Sequence, residues 1–225
     1  MTSLTEILQK QTNVKVIAPK IEYSHYVAFD LSANTTDKLN LPLTDAKAFE
    51  DFVENHLVKN KSKVAYGGYL EHRNLYQRSK VFKNVNIEER NIHIGLDLWI
   101  KAGTDVLAAL DGTIHSFQNN IALGDYGPAI ILEHEIEGYN FYTLYGHLSL
   151  ESLNEKIEGQ KVTKGEIIGQ LGAPPINGDY APHLHFQIIE DLQGKKGDYP
   201  GVCSTSELEF YKINCPDPNL LLKIR

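Results

Sequence analysis

The sequence predicts an α+β chain in which a small mixed α/β N-terminal portion, residues 1–62, precedes a mainly antiparallel β portion, residues 63–225. Three observations carry this. Helical signals concentrate before residue 60, where a capping motif and an amphipathic stretch occur. From Val64 onward short apolar runs are punctuated by Gly67-Gly68, Asp111-Gly112, Gly138 and Asn177-Gly178, and Asp-Gly and Asn-Gly pairs are strong turn signals. The chain, 225 residues and 42% hydrophobic, is long enough to bury a core, either as one large domain or as a core plus a smaller unit.

Taken in order, Ser3-Leu4-Thr5-Glu6 reads as a capping box: Ser3 accepts from the amide of Glu6 while the glutamate reaches back, and a short helix follows through Ile7 and Leu8. Val14–Ile17 and Tyr26–Leu31 are expected as strands, and Pro42 closes a polar loop. With Thr44 or Asp45 as N-cap, the residues Phe49, Phe52, Val53, His56 and Leu57 fall at helical spacing between acidic and polar ones. An apolar stripe of that size must pack on something. The N-terminal portion therefore serves as a lid over a groove, as a dimerisation surface in a homo-oligomer, or as a packing layer; the sequence leaves the three open.

Charge and leader signals narrow the partners. A formal net charge of -7 with no basic stripe argues against nucleic acid. No stretch approaches the ~18 apolar residues of a membrane span. The first twenty residues lack a basic segment, an apolar core and a cleavage site of the export type, so the expected location is cytoplasmic. In that compartment Cys203 and Cys215, which lie outside the histidine motifs, are expected as reduced, partly buried thiols.

The chemistry-bearing residues fall in three segments. In Ala181-Pro182-His183-Leu184-His185-Phe186, strand periodicity puts His183 and His185 on one face with Leu184 and Phe186 behind them. Upstream, His93-Ile94-Gly95-Leu96-Asp97 supplies another imidazole and a carboxylate, a donor set that suits zinc. In a straight strand those two residues stand ~13 Å apart. The chain must bend between them, and Gly95, free to take positive φ, is the expected hinge. His147 ends the strand-like run Phe141–Gly146. His25, His56, His72, His115 and His134 read as structural, although His72 and Arg73 lie close enough to the upstream segment to line a cleft.

Together HIGLD, YGHLS and APHLHF resemble the lysostaphin/LytM-type zinc metallopeptidases, over roughly residues 66–190. The resemblance implies a mainly antiparallel metallopeptidase core, one zinc ion held by His93, Asp97 and His185, and His147 and His183 as catalytic partners. It also implies hydrolysis of amide bonds in peptidoglycan-type or small peptide substrates. A narrower similarity rests on YGGYLEHRNLY at 66–76, HSFQNN at 115–120 and the tail around Cys215-Pro216-Asp217-Pro218. It is to the peptidase-like domain of cytosolic phosphotransferase/aminotransferase fusion proteins, and implies a cytosolic amidase acting on a small non-wall substrate. A catalytically silent metal-binding regulatory or interaction module is the other alternative, although structural zinc usually takes a fourth protein ligand and no obvious one is present.

Overall fold

The computed structural model describes residues 3–39, 41, 45–73 and 88–225. Pro42, Thr44 and the part of the 66–76 stretch beyond Arg73 lie outside the described residues.

Helix α1 (Leu4–Lys10) begins on the expected capping box: Ser3 Oγ accepts from the Glu6 amide, and Glu6 accepts from the Ser3 amide at 2.9 Å. Val14–Ile17 is not a strand. It makes only a bridge from Ile17 to Val106, flanked by left-handed residues at Asn13 and Ala18 that turn the chain away at both ends. Strand β1 (Tyr26–Ala28) is shorter than expected. Helices α2 (Ala33–Leu39) and α3 (Ala46–Lys59) follow, the latter capped by Asp45, whose carboxylate accepts from the Ala48 amide. Buried Phe49 and Val53 on α3 meet Phe29, Leu31, Ala65 and Trp99, so its apolar stripe covers one end of the sheet.

The strands that follow are β2 (Val64–Gly67), β3 (Ile92–His93), β4 (Leu96–Trp99), β5 (Asp105–Leu107) and β6 (Gly112–Asn120). After them come β7 (Gly127–Ile136), β8 (Tyr139–Gly146), β9 (Lys161–Val162), β10 (Ile167–Gln170), β11 (His183–Ile189) and β12 (Val202–Cys203). Two short helices, α4 (Leu208–Asn214) and α5 (Asn219–Leu222), end the chain. Eight strands form one sheet in the order β1-β2-β4-β11-β8-β7-β6-β9, antiparallel except for the β1–β2 pair. The β7–β8 hairpin closes through Glu137 and Gly138, both at positive φ, the two-residue turn that the twist of antiparallel strands favours. The pairs β5–β10 and β3–β12 stand apart from the main sheet.

The main core joins both portions of the chain: Leu4, Ile7 and Leu8 of α1 share it with Leu221 and Leu222 of α5 and with Phe186 and Ile188 of β11. The sequence-based division at residue 62 therefore falls inside a continuous sheet, since β1 pairs with β2 across it. Among the described residues no helix is long and apolar enough to cross a membrane.

Candidate metal centre

The centre is built on β3, β4 and β11. Asp97 sits opposite His185 in the β4–β11 ladder, and Trp99 sits opposite His183, so one register places a carboxylate and two imidazoles side by side. His93 arrives from β3 through a bend at Gly95. Gly95 is not at positive φ, contrary to the sequence-based expectation. Its reason is close approach: a Cβ there would lie 2.4 Å from His185 Cε1.

His93 Nε2 and His185 Nδ1 are 2.9 Å apart, and Asp97 Oδ1 lies 3.3 Å from each. The other ring nitrogens are tied down. His93 Nδ1 donates to the Gly68 carbonyl at 2.9 Å, and His185 Nε2 donates to Gln187 Oε1 at 2.9 Å. Because a carbonyl oxygen only accepts, these bonds fix the tautomers and turn both free lone pairs toward Asp97. Gln187, fully buried, is itself held by Pro200 O and Cys215 Sγ.

The residues fit a metal. Donors held ~2.0–2.2 Å from a tetrahedral ion are ~3.3–3.6 Å apart, so these three need to part by only a few tenths of an ångström to hold one. Asp97 Oδ1 is buried and accepts no hydrogen bond among the described residues, which is the group a cation would satisfy. The other oxygen, Oδ2, takes a 2.6 Å bond from Arg73 Nη1, while Arg73 Nε is bonded to Glu71. Burial opposes ionisation of Asp97, but the surrounding imidazoles and Arg73 outweigh it and hold the carboxyl well below its usual range. Arg73 is charged at neutral pH, whereas burial pushes His93 down to about 4.

Two more imidazoles share the cavity. His147 Nδ1 donates to Asn177 O and His183 Nδ1 to Ala181 O, both at 2.8 Å. Their rings lie 4.2 Å apart, with His183 stacked on Trp99 at 3.9 Å. Burial holds His147 well below its ordinary pKa and His183 at about 4, so both are neutral at pH 7. His183 Nε2 is 3.9 Å from Asp97 Oδ1.

All five singled-out residues line one cavity of about 250 Å³. His25, His56, His72, His115 and His134 do not line it, and among the described residues no residue before Arg73 does. Sequence reasoning placed Arg73 near a cleft and missed its bond to Asp97; it also missed Gln187, Tyr126, Tyr180 and Arg90. Gln187 carried a usable signal, since it lies two residues after His185 and so on the same strand face.

Residues 91–198 match the model of peptidase family M23. The match covers just under half of the chain and likens this segment, which holds all five of the singled-out site residues, to the peptidases of that family. A metalloprotease of Haemophilus influenzae is 35% identical over 96 residues, 43% of this chain and 18% of that protein, so the chain spans about a fifth of its curated relative. The catalytic domain of the antimicrobial peptidase lysostaphin from Staphylococcus simulans is 27% identical with a TM-score of 0.41, covering 68% of this chain and 94% of that one. Csd3 from Helicobacter pylori is 26% identical with a TM-score of 0.35, covering 55% and 32%.

Proposed function

We propose that the M23 domain is a zinc-dependent metallopeptidase that hydrolyses amide bonds in short or peptidoglycan-type peptides. In this reading His93, Asp97 and His185 hold the ion, and His147 and His183 move protons. The observation that carries it is the convergence of three donor atoms within 3.3 Å of one another beside two buried, neutral imidazoles on one cavity. When bound, zinc supplies Lewis acidity, polarising a substrate carbonyl and making water nucleophilic at neutral pH.

The chain's own groups do the rest. The backbone carbonyls that hold Nδ1–H of His147 and His183 leave each Nε2 lone pair free to take a proton from the attacking water. As the C–O bond forms and the C–N bond breaks, that proton passes to the leaving amine, which restores the neutral ring. Burial makes the imidazolium short-lived, and the Asp97 carboxylate 3.9 Å from His183 is the charge that steadies it.

Residues 1–62 act in this reading as a packing layer that holds the end of the sheet bearing Trp99. Cys203 and Cys215, buried and not bonded to each other, suit a reducing compartment, which supports a cytoplasmic place and soluble peptides as substrates. The test is the metal content of the purified protein together with amine release from a panel of Gly- and D-Ala-containing peptides and muropeptides, before and after chelation and zinc replacement. A zinc-replete protein that releases no amine from any of them refutes the proposal.

A further inference from the structure

We infer that Arg90, assisted by Lys195, is an anion-binding subsite of the metal cavity, and that the substrates are short peptides with a free C-terminal carboxylate. The inference rests on the metallopeptidase reading above and names its substrate class.

Three cationic side chains line the cavity: Arg73, Arg90 and Lys195. The charge of Arg73 is committed to Asp97 and Glu71. Arg90 is different. Its Nε and Nη2 both donate to one neutral acceptor, Val202 O, at 3.1 and 2.6 Å, and among the described residues it forms no ion pair within 4.0 Å. Glu88 and Glu207, whose charges reach the same corner of the fold, are bonded elsewhere: Glu207 to the amide and hydroxyl of Ser204, Glu88 to the amide of Ser206. Arg90 is half-buried. A partly desolvated guanidinium held by a neutral carbonyl is in place for a carboxylate that the protein itself does not supply.

Its position is tied to the metal centre. Val202 is the cross-strand partner of His93, so the carbonyl that anchors Arg90 belongs to the strand pair carrying a metal donor. Lys195, exposed and without an ion-pair partner among the described residues, adds a second cation on the same cavity. Besides Asp97, the acidic lining groups are Asp125 and Asp198, and burial together with the charge of Asp198 pushes the Asp125 carboxyl up. The cavity thus offers a ligand both cationic groups, Arg90 and Lys195, and acidic ones, Asp125 and Asp198. A short zwitterionic peptide matches that polarity, and about 250 Å³ is at the small end for a ligand site.

The experiment measures the affinity of the zinc-loaded His147→Ala protein, which binds without turnover, for a tripeptide and for its C-terminal amide. The free acid is expected to bind about 10- to 100-fold tighter, the worth of a hydrogen bond between charged groups. Arg90→Gln is expected to bring the ratio close to one, and Arg90→Lys to restore part of it. Lys195→Gln, at an exposed position whose side chain makes no hydrogen bond or ion pair among the described residues, is expected to lower the ratio severalfold. This guards against Arg90→Gln acting only by releasing Val202. A ratio near one in the parent, or an undiminished ratio in Arg90→Gln, overturns the inference. Because the ratio needs no turnover, it tests the subsite separately from the peptidase reading, which fails instead if the zinc-replete parent cuts no peptide.

Discussion

Adding a single methyl group at Gly95 should empty the metal centre while leaving the sheet intact. The Cβ of Gly95→Ala would stand 2.4 Å from His185 Cε1, 2.5 Å from His185 Nε2 and 3.1 Å from the Phe186 carbonyl. Carbon atoms in contact sit no closer than about 3.5 Å, so something must move by about 1 Å. The imidazole is held on one side by Gln187 and on the other by the ladder that pairs His185 with Asp97, so neither ring nor strand moves alone. A 1 Å shift exceeds the few tenths of an ångström of adjustment that the donor triangle needs. The folding cost is that of an overpacked site, about 1–3 kcal/mol. The metal cost is larger. Altering a mere hydrogen-bond partner of a ligand loses about 10- to 100-fold in affinity, and here a ligand itself is displaced. The assay is competition for zinc with a fluorescent chelator, with circular dichroism on the same samples. A Gly95→Ala protein that is folded and binds zinc within about threefold of the parent refutes the geometry, because that change is smaller than even an outer partner's.

Four further outcomes are expected. His147→Ala and His183→Ala keep zinc and lose about 100- to 10,000-fold in turnover, whereas His93→Ala and Asp97→Ala lose the metal as well; equal metal loss in all four shows that the roles are wrongly divided. Arg73→Met leaves the buried Asp97 carboxylate uncompensated, at about 3–5 kcal/mol, and zinc restores more melting temperature to this variant than to the parent; an equal zinc effect refutes it. Stability falls with acid through His134, whose pKa burial lowers from 6.5 to about 4. The unfolded chain takes up this proton below pH 6.5 and the folded one only near 4, so as pH falls between those values up to about 3 kcal/mol is lost. Urea midpoints at several pH values should show a flatter slope for His134→Gln than for the parent, and parallel slopes refute the assignment. Gln187→Leu, which removes the acceptor for His185 at similar volume, weakens zinc binding about 10- to 100-fold in the chelator assay, and Gln187→Glu recovers part of it.

Much of this site is written locally. Strand periodicity alone puts His183 and His185 on one face, and in the structure both open into the same cavity. The capping box at Ser3, the Asp45 cap and the apolar stripe of α3 are likewise decided within a few residues, because they depend on the pitch of a helix and the reach of one side chain. The need for a bend between His93 and Asp97 follows from the rise of a strand, although the reason for glycine at the bend does not. It is the proximity of a ring ninety residues downstream.

What tertiary structure decided is register and partnership. Asp97 meets His185 because the β4–β11 register sets those two residues opposite each other, and a slip of one would turn the pair to opposite faces. The Gly68 and Asn177 carbonyls that set two tautomers, the arginine that takes Asp97 Oδ2, and Val202 holding Arg90 all lie on segments distant in the chain. Val14–Ile17, strand-like in composition, stays a single bridge, with left-handed residues at Asn13 and Ala18 on either side of it. The sequence by itself determined which residues could face the cavity, through spacings fixed by backbone geometry. Which atoms turn toward it was decided by the packing of the whole core, since only that sets the alignment of one strand against another.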